Sequence, residues 1–309
     1  MKKKIKNYII LILLSIILIA TILNSSIIIE SSKEALSLWK TNIFPALFTI
    51  FIITDLLLNY EFISIISKIF YKPLYYLFKF NKNELFIFFI SMLGGFPSSS
   101  KYTSKLYKNN EISLDNANRM LMCSHFSNPL FIFGTILSLI QDKKICLLIL
   151  ISHYLGNFVL AFYTREYQEY DKYYRKIKNK DSFFDVITTS ITENINTLLF
   201  ILGSITIFFC LSNLISYTFN LNSYTDTIIS GLLEITQGIK KVSILDTSIN
   251  IKAIITTFFI SFGGLCVHLQ TLGMIKGTKL SYKSFLKGRV IHSTLSVIFI
   301  IILLKLFYS

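Results

Sequence analysis

The chain has 309 residues, of which 53% are hydrophobic and only 16% charged, with a mean hydropathy of +0.59. That balance excludes an ordinary soluble globular domain and makes lipid the solvent for most of the chain. The formal net charge of +14 is assigned to span flanks that face anionic headgroups, so the lipid bilayer and no nucleic acid is expected as a partner.

Residues 8–29, 120–141, 145–164, 194–225 and 253–275 contain no Lys, Arg, Asp or Glu, and each reaches the roughly 20 residues that cross a ~30 Å hydrocarbon core. Shorter uncharged runs lie at 41–54, 85–100 and 290–304. The N-terminus carries Lys2, Lys3, Lys4 and Lys6 before the first apolar run, which reads as a retained signal anchor (1–34) with a cytoplasmic N-terminus. A second span is expected near 41–58, followed by an interfacial cytoplasmic helix over Glu61 to Phe80 bearing Lys68, Lys72 and Lys79, with Lys82 just beyond.

The next segment reads as a helical hairpin over 84–108, entering and leaving on the cytoplasmic side. About ten apolar residues rise only ~15 Å, half a membrane, before Gly94-Gly95 and Pro97 interrupt the helix. Spans at about 117–140 and 145–163 bring the chain to a basic cytoplasmic linker, 164–182, which separates the halves 35–163 and 183–309. A span at 187–215 then leads to a loop, Tyr217 to Thr227, without Lys or Arg. There follow an interfacial helix at 228–241, a hairpin at 252–276 entering from the opposite face, and a last span at 286–306. Phe88-Phe89-Ile90-Ser91-Met92-Leu93-Gly94-Gly95 matches Phe258-Phe259-Ile260-Ser261-Phe262-Gly263-Gly264 with one residue deleted. The fold class read here is therefore all-α and polytopic, with two inverted repeats that each contain a re-entrant helical hairpin. Lys276, Lys279, Lys283, Lys287 and Arg289 fall on the outside in this topology, against the positive-inside bias.

Chemistry concentrates at the breaks. Gly95, Pro97, Ser98, Ser99, Ser100 and Lys101 combine a bendable backbone, hydroxyls, helix-start amides and a cation, a set suited to a small anion; close packing of small residues is the alternative. Ser127 and Asn128 precede Pro129 inside an apolar span, where the proline frees backbone carbonyls that these side chains can partner. Glu234 lies in an apolar helix, either as a coupling proton site or as an interfacial partner of Lys240 or Lys241. Gly263, Gly264 and Gln270, with Thr271, supply the matching neutral lining in the second half. Cys123, Cys146, Cys210 and Cys266 form no C-x-x-C pair, and the histidines never fall four apart, so no disulfide framework, metal site or cofactor is expected. No acid, base and nucleophile set clusters, and the chain reads as no enzyme.

Gly95-Phe96-Pro97 with the following small residues and Lys101, then Asn118 to Leu121 leading into Phe126-Ser127-Asn128-Pro129-Leu130-Phe131-Ile132, and later Gly231-Leu232-Leu233-Glu234 with Gly238, resemble the YlbJ (SpoVV) family of sporulation integral membrane proteins. That family carries the nucleoside-recognition or Gate domain, and the resemblance runs from about residue 35 to the end. Ser99 and Ser100 stand where the family has glycine and alanine. The resemblance implies a fold similar to concentrative nucleoside transporters, in a multi-pass protein of a bacterial cell membrane. It also implies movement of dipicolinic acid, a planar dianion, across the outer forespore membrane during sporulation. Nucleoside or nucleobase transport, or a non-transporting scaffold for spore assembly, are the competing expectations. Coupling ion, direction of transport and assembly into a homo-oligomer are left open.

Overall fold

A computed structural model describes residues 2–60, 71–165 and 182–308, and among these the regular structure is helical, with no strand. Helix α1 (Lys2–Leu23) ends at Asn24, whose side-chain amide bonds the Ala20 carbonyl at 2.9 Å. Helix α2 (Ser25–Leu38) runs through a wide π turn at Trp39–Ile43 into α3 (Phe44–Asn59). Pro45, in the first turn of α3, has no amide hydrogen for the preceding turn, and widening the helix there relieves that gap. Helix α4 covers 71–78.

Helices α5 (Lys82–Gly94) and α6 (Ser98–Lys108) follow, joined by Gly95, Phe96 and Pro97. Then come α7 (Leu114–Cys123), a non-helical stretch over 124–128, a π turn at Phe131–Ile136, the short α8 (Leu137–Ile140) and the long α9 (Lys143–Tyr163). The second part comprises α10 (Phe183–Thr218), α11 (Ser223–Leu233), α12 (Ile235–Ile244), α13 (Ile249–Phe262), α14 (Gly264–Ile275) and α15 (Tyr282–Phe307). Asn81, Ser113, Asp142, Ser182, Asn222, Glu234 and Ser248 each accept the amide three residues on, satisfying an N-terminal donor that the helix itself cannot.

Among the described residues six helical runs are long and apolar enough to cross a membrane: Ile5–Leu23, Ser25–Asn59, Lys143–Tyr163, Phe183–Thr218, Ile249–Ile275 and Tyr282–Phe307. The protein is thus a multi-pass integral membrane protein. No part of the first run is buried by the rest of the chain, so α1 presents apolar side chains all round, as a lipid-facing helix should. At the centre, α15 packs along α9 and α13, and α10 crosses α2 and α3. Close approach is set by small residues: a Cβ on Gly156 would collide with Ser296 and His292, and one on Gly288 with the Met122 backbone.

Several expectations need revision. The first span ends at Leu23 instead of 29, and the segment expected at 41–58 is the end of a run that starts at Ser25. The first half of the interfacial helix over 61–80 and most of the linker over 164–182 lie outside the described residues. The uncharged stretch 120–141 is no single rod, because 124–128 is unwound. The expected loop over 217–227 shrinks to a turn between α10 and α11. The helix expected at 228–241 is two helices that fold back at Glu234, with Gly238 seated against Gly231. The segment 252–276 breaks at Gly263 as expected, but its arms serve different neighbours, α13 packing on α9, α12 and α15 and α14 on α6, α10 and α11. Gly94–Gly95 ends the first arm of a pair packed on itself, whereas Gly263–Gly264 interrupts a run of membrane-spanning length. The short sequence match therefore joins elements of different form. Arg289 is fully buried between helices, which removes it from the basic loop that opposed the expected topology.

Candidate functional site

Four chain breaks meet in pairs. Gly95 has φ +67, a left-handed conformation that glycine adopts without penalty, and a Cβ there would stand 3.1 Å from Asn128. The turn between α5 and α6, in which the Phe96–Pro97 peptide is cis, is therefore pressed onto the unwound stretch 124–128. In the second part Gly264, φ +56, lies where a Cβ would be 3.2 Å from the Gly231 carbonyl and 3.4 Å from that of Leu233. The turn at Glu234 is thus pressed onto the break between α13 and α14.

Unwinding at depth leaves backbone groups that need partners, and buried side chains supply them. Asn128 accepts the Phe131 amide at 2.7 Å and donates to the Gly94 carbonyl at 3.4 Å. The Ser127 amide donates to His153 Nε2 at 2.7 Å, which fixes the His153 proton on Nδ1, aimed at Ser261 Oγ 2.9 Å away. Asn157 donates to the His125 carbonyl at 2.6 Å. Arg289 reaches both breaks, donating to the carbonyls of Met122 (3.3 Å) and His125 (3.2 Å) on one side and Ser261 (3.2 Å) on the other. It also donates to Nδ1 of His292, whose Nε2 then donates to the His153 carbonyl at 2.7 Å. Both histidines are neutral by this geometry and hold structure.

Between the breaks lies a cavity of about 460 Å³, walled by the turn at Gly95 and Phe96, by 127–131, by Glu234 to Thr236, by α14 and by the π turn between α2 and α3. Of the residues expected to bind solute, Gly95, Ser127, Asn128, Glu234 and Gln270 line it. Ser127 Oγ is buried and makes no hydrogen bond within the protein. A hydroxyl in that state at a cavity wall is a free contact for a bound molecule. Glu234 is extended (φ −143, ψ 125), caps α12 through the Gln237 amide at 2.8 Å and is the one charged residue among those lining the cavity.

The other expected residues sit behind the wall. Pro97 opens α6. Ser124 donates to the Met120 carbonyl, so Ser99 donates to Ser124 Oγ at 2.6 Å; Ser100 bonds His125 and Thr271. Ser98 Oγ is buried without a partner. Gly263 and Gly264 make the second break and are not among the lining residues. Lys101, expected to meet an anion, instead donates to Asn194 and stands 3.9 Å from Asp55 and 4.0 Å over the Phe51 ring. Asp55, Asn194, Arg289 and the cavity residues Asn42 and Thr135, which bond each other at 3.2 Å, were not anticipated. Asp55 carried a signal: it is the acid that ends the uncharged run 41–54 inside an otherwise apolar segment.

No family model matches the chain, and no solved structure matches it. The sporulation integral membrane protein YlbJ of Bacillus subtilis (strain 168) is 29% identical over 322 aligned residues, which take in 91% of this chain and 78% of that protein. The resemblance read from the motifs is thereby found along nearly the whole chain.

Proposed function

We propose that this relative of YlbJ is a transporter that carries a small, planar, polar solute across a membrane during sporulation. The single observation that carries the proposal is the cavity of about 460 Å³ at the meeting of four chain breaks, since irregular backbone at membrane depth is tolerated where it lines such a space. A scaffold calls for turns packed together with nothing between them, and the cavity argues against it.

Two inverted repeats fit the element order. In one, a re-entrant hairpin (α5–α6) precedes a broken helix (α7 to α8) and a span (α9); in the other, α11–α12 precedes the broken α13–α14 and the span α15. On this reading the second hairpin is α11–α12, and the Gate-like fold follows from that pairing.

The leading solute is dipicolinate, to be moved across the outer forespore membrane. Its two carboxylates find no lysine or arginine among the lining residues, so hydroxyls and amides must meet them and Glu234 must take up a proton as the solute binds. Nucleosides or nucleobases are the second reading, favoured by the neutral lining of Asn42, Ser127, Asn128 and Gln270 with one carboxylate acceptor. Competition between a pyridine dicarboxylate and uridine for uptake separates the two. Deletion of the gene in its host, followed by normal dipicolinate accumulation in spores, would exclude the first.

A further inference from the structure

Away from the cavity, α6 carries a second polar cluster against α3 and α10. Lys101 and Lys105 lie one turn apart and share one buried carboxylate, Asp55. Oδ1 of Asp55 accepts from Lys105 Nζ at 2.9 Å, and Oδ2 accepts from Ser190 at 2.8 Å and from the Asn194 amide at 3.0 Å. Because the Asn194 nitrogen is committed to Asp55, its oxygen faces Lys101 and accepts from Nζ. Lys101 is left with that one acceptor, an aromatic face and a carboxylate at 3.9 Å that Lys105 already holds.

The second carboxylate, Glu193, is half-exposed and reaches only Lys105, at 3.4 Å. Lys105 is a third exposed and is offset by Glu193 at that edge, so the buried Lys101 carries the least compensated positive charge of the cluster, which is costly at membrane depth. Loss of one proton from Lys101 Nζ removes it. The resulting neutral amine retains two N–H groups and keeps its bond to Asn194, so the arrangement survives the change.

We infer that Lys101, held by Asn194 and Asp55, is a proton-exchange site through which movement of the α5–α6 unit is coupled to a proton gradient. The ammonium releases a proton to water at the Lys105–Glu193 edge when α6 is seated against α3 and α10, and takes one up when that contact opens. The charges acting on it are Asp55 of α3, Lys105 of its own helix and Glu193 of α10, so the linkage is to the position of α6 relative to those two helices. The inference rests on the transport reading and adds, to the proton that Glu234 takes up with a dianionic solute, a second one at a site distinct from the solute cavity that is linked to the position of α6.

Purified protein in lipid vesicles tests it with labelled dipicolinate, or uridine should that be the solute carried. Two fluxes are compared: accumulation driven by a proton gradient, and solute-for-solute exchange without one. In Lys101→Gln and in the permanently charged Lys101→Arg, the ratio of driven to exchange flux is expected to fall about tenfold or more. A driven flux in both variants equal to that of the wild type overturns the inference, and so does a parallel fall in both fluxes, which marks a purely structural lysine. Wild-type exchange that ignores the gradient also overturns it while leaving the transport reading intact. Absence of any wild-type exchange with either solute removes the transport reading itself.

Discussion

The two broken helices reach the same end by different chemistry. Between α7 and α8 the chain unwinds over five residues, 124–128, and its freed groups are met by Asn128, His153, Asn157 and Arg289. Between α13 and α14 two glycines of positive φ do the bending in a single step, and only the Ser261 carbonyl draws on Arg289. A break made from polar side chains can present Ser127 and Asn128 to a solute, whereas a break made from glycine offers close backbone approach and lets the neighbouring Glu234 face the cavity. Arg289, touching both, is where the two solutions depend on one residue.

That dependence gives the largest expected effect. Arg289→Met leaves the carbonyls of Met122 and Ser261 and Nδ1 of His292 without their Arg289 donor and should destabilise the protein by about 3 kcal/mol, at ~1 kcal/mol for each group left unsatisfied. Thermal unfolding in detergent measures it, and a fall smaller than that of Asn157→Ala would break the claim that one side chain staples both breaks. Gly264→Val should cost roughly 2 kcal/mol from its left-handed backbone alone, with further loss from contact with the Gly231 and Leu233 carbonyls. Asn157→Ala acts on the first break only and should cost about 1 kcal/mol. Ser127→Ala is expected to leave stability unchanged, because Oγ bonds nothing in the protein. It should weaken solute binding about fivefold, the equivalent of one hydrogen bond.

Much of this was legible in the residues. The spans expected at 145–163, 187–215 and 286–306 lie within four positions of the ends of α9, α10 and α15, and Gly95-Phe96-Pro97 announces the first turn because glycine and proline act on the backbone locally. Glu234 was legible as an acid in apolar surroundings but not as a turn, since Leu233-Glu234-Ile235 contains no breaker. The fold-back there is driven by tertiary packing of Gly231 against Gly238 and by Glu234 capping the helix that follows it. Lys101 reads toward the solute in the sequence because its partner, Asp55, lies on another helix, and pairing between distant segments leaves no local pattern. Arg289 was grouped with the loop lysines next to it for the same reason, though only Arg289 turns inward to carbonyls also far away in the chain.

The most direct test of the central claim is flux of labelled dipicolinate and of uridine into vesicles that contain only the purified chain. A saturable flux of one of them, slowed by Ser127→Ala and by Glu234→Gln while both variants remain folded, is the predicted result. Flux no greater than in empty vesicles for both solutes, from protein shown to be folded, would contradict the account.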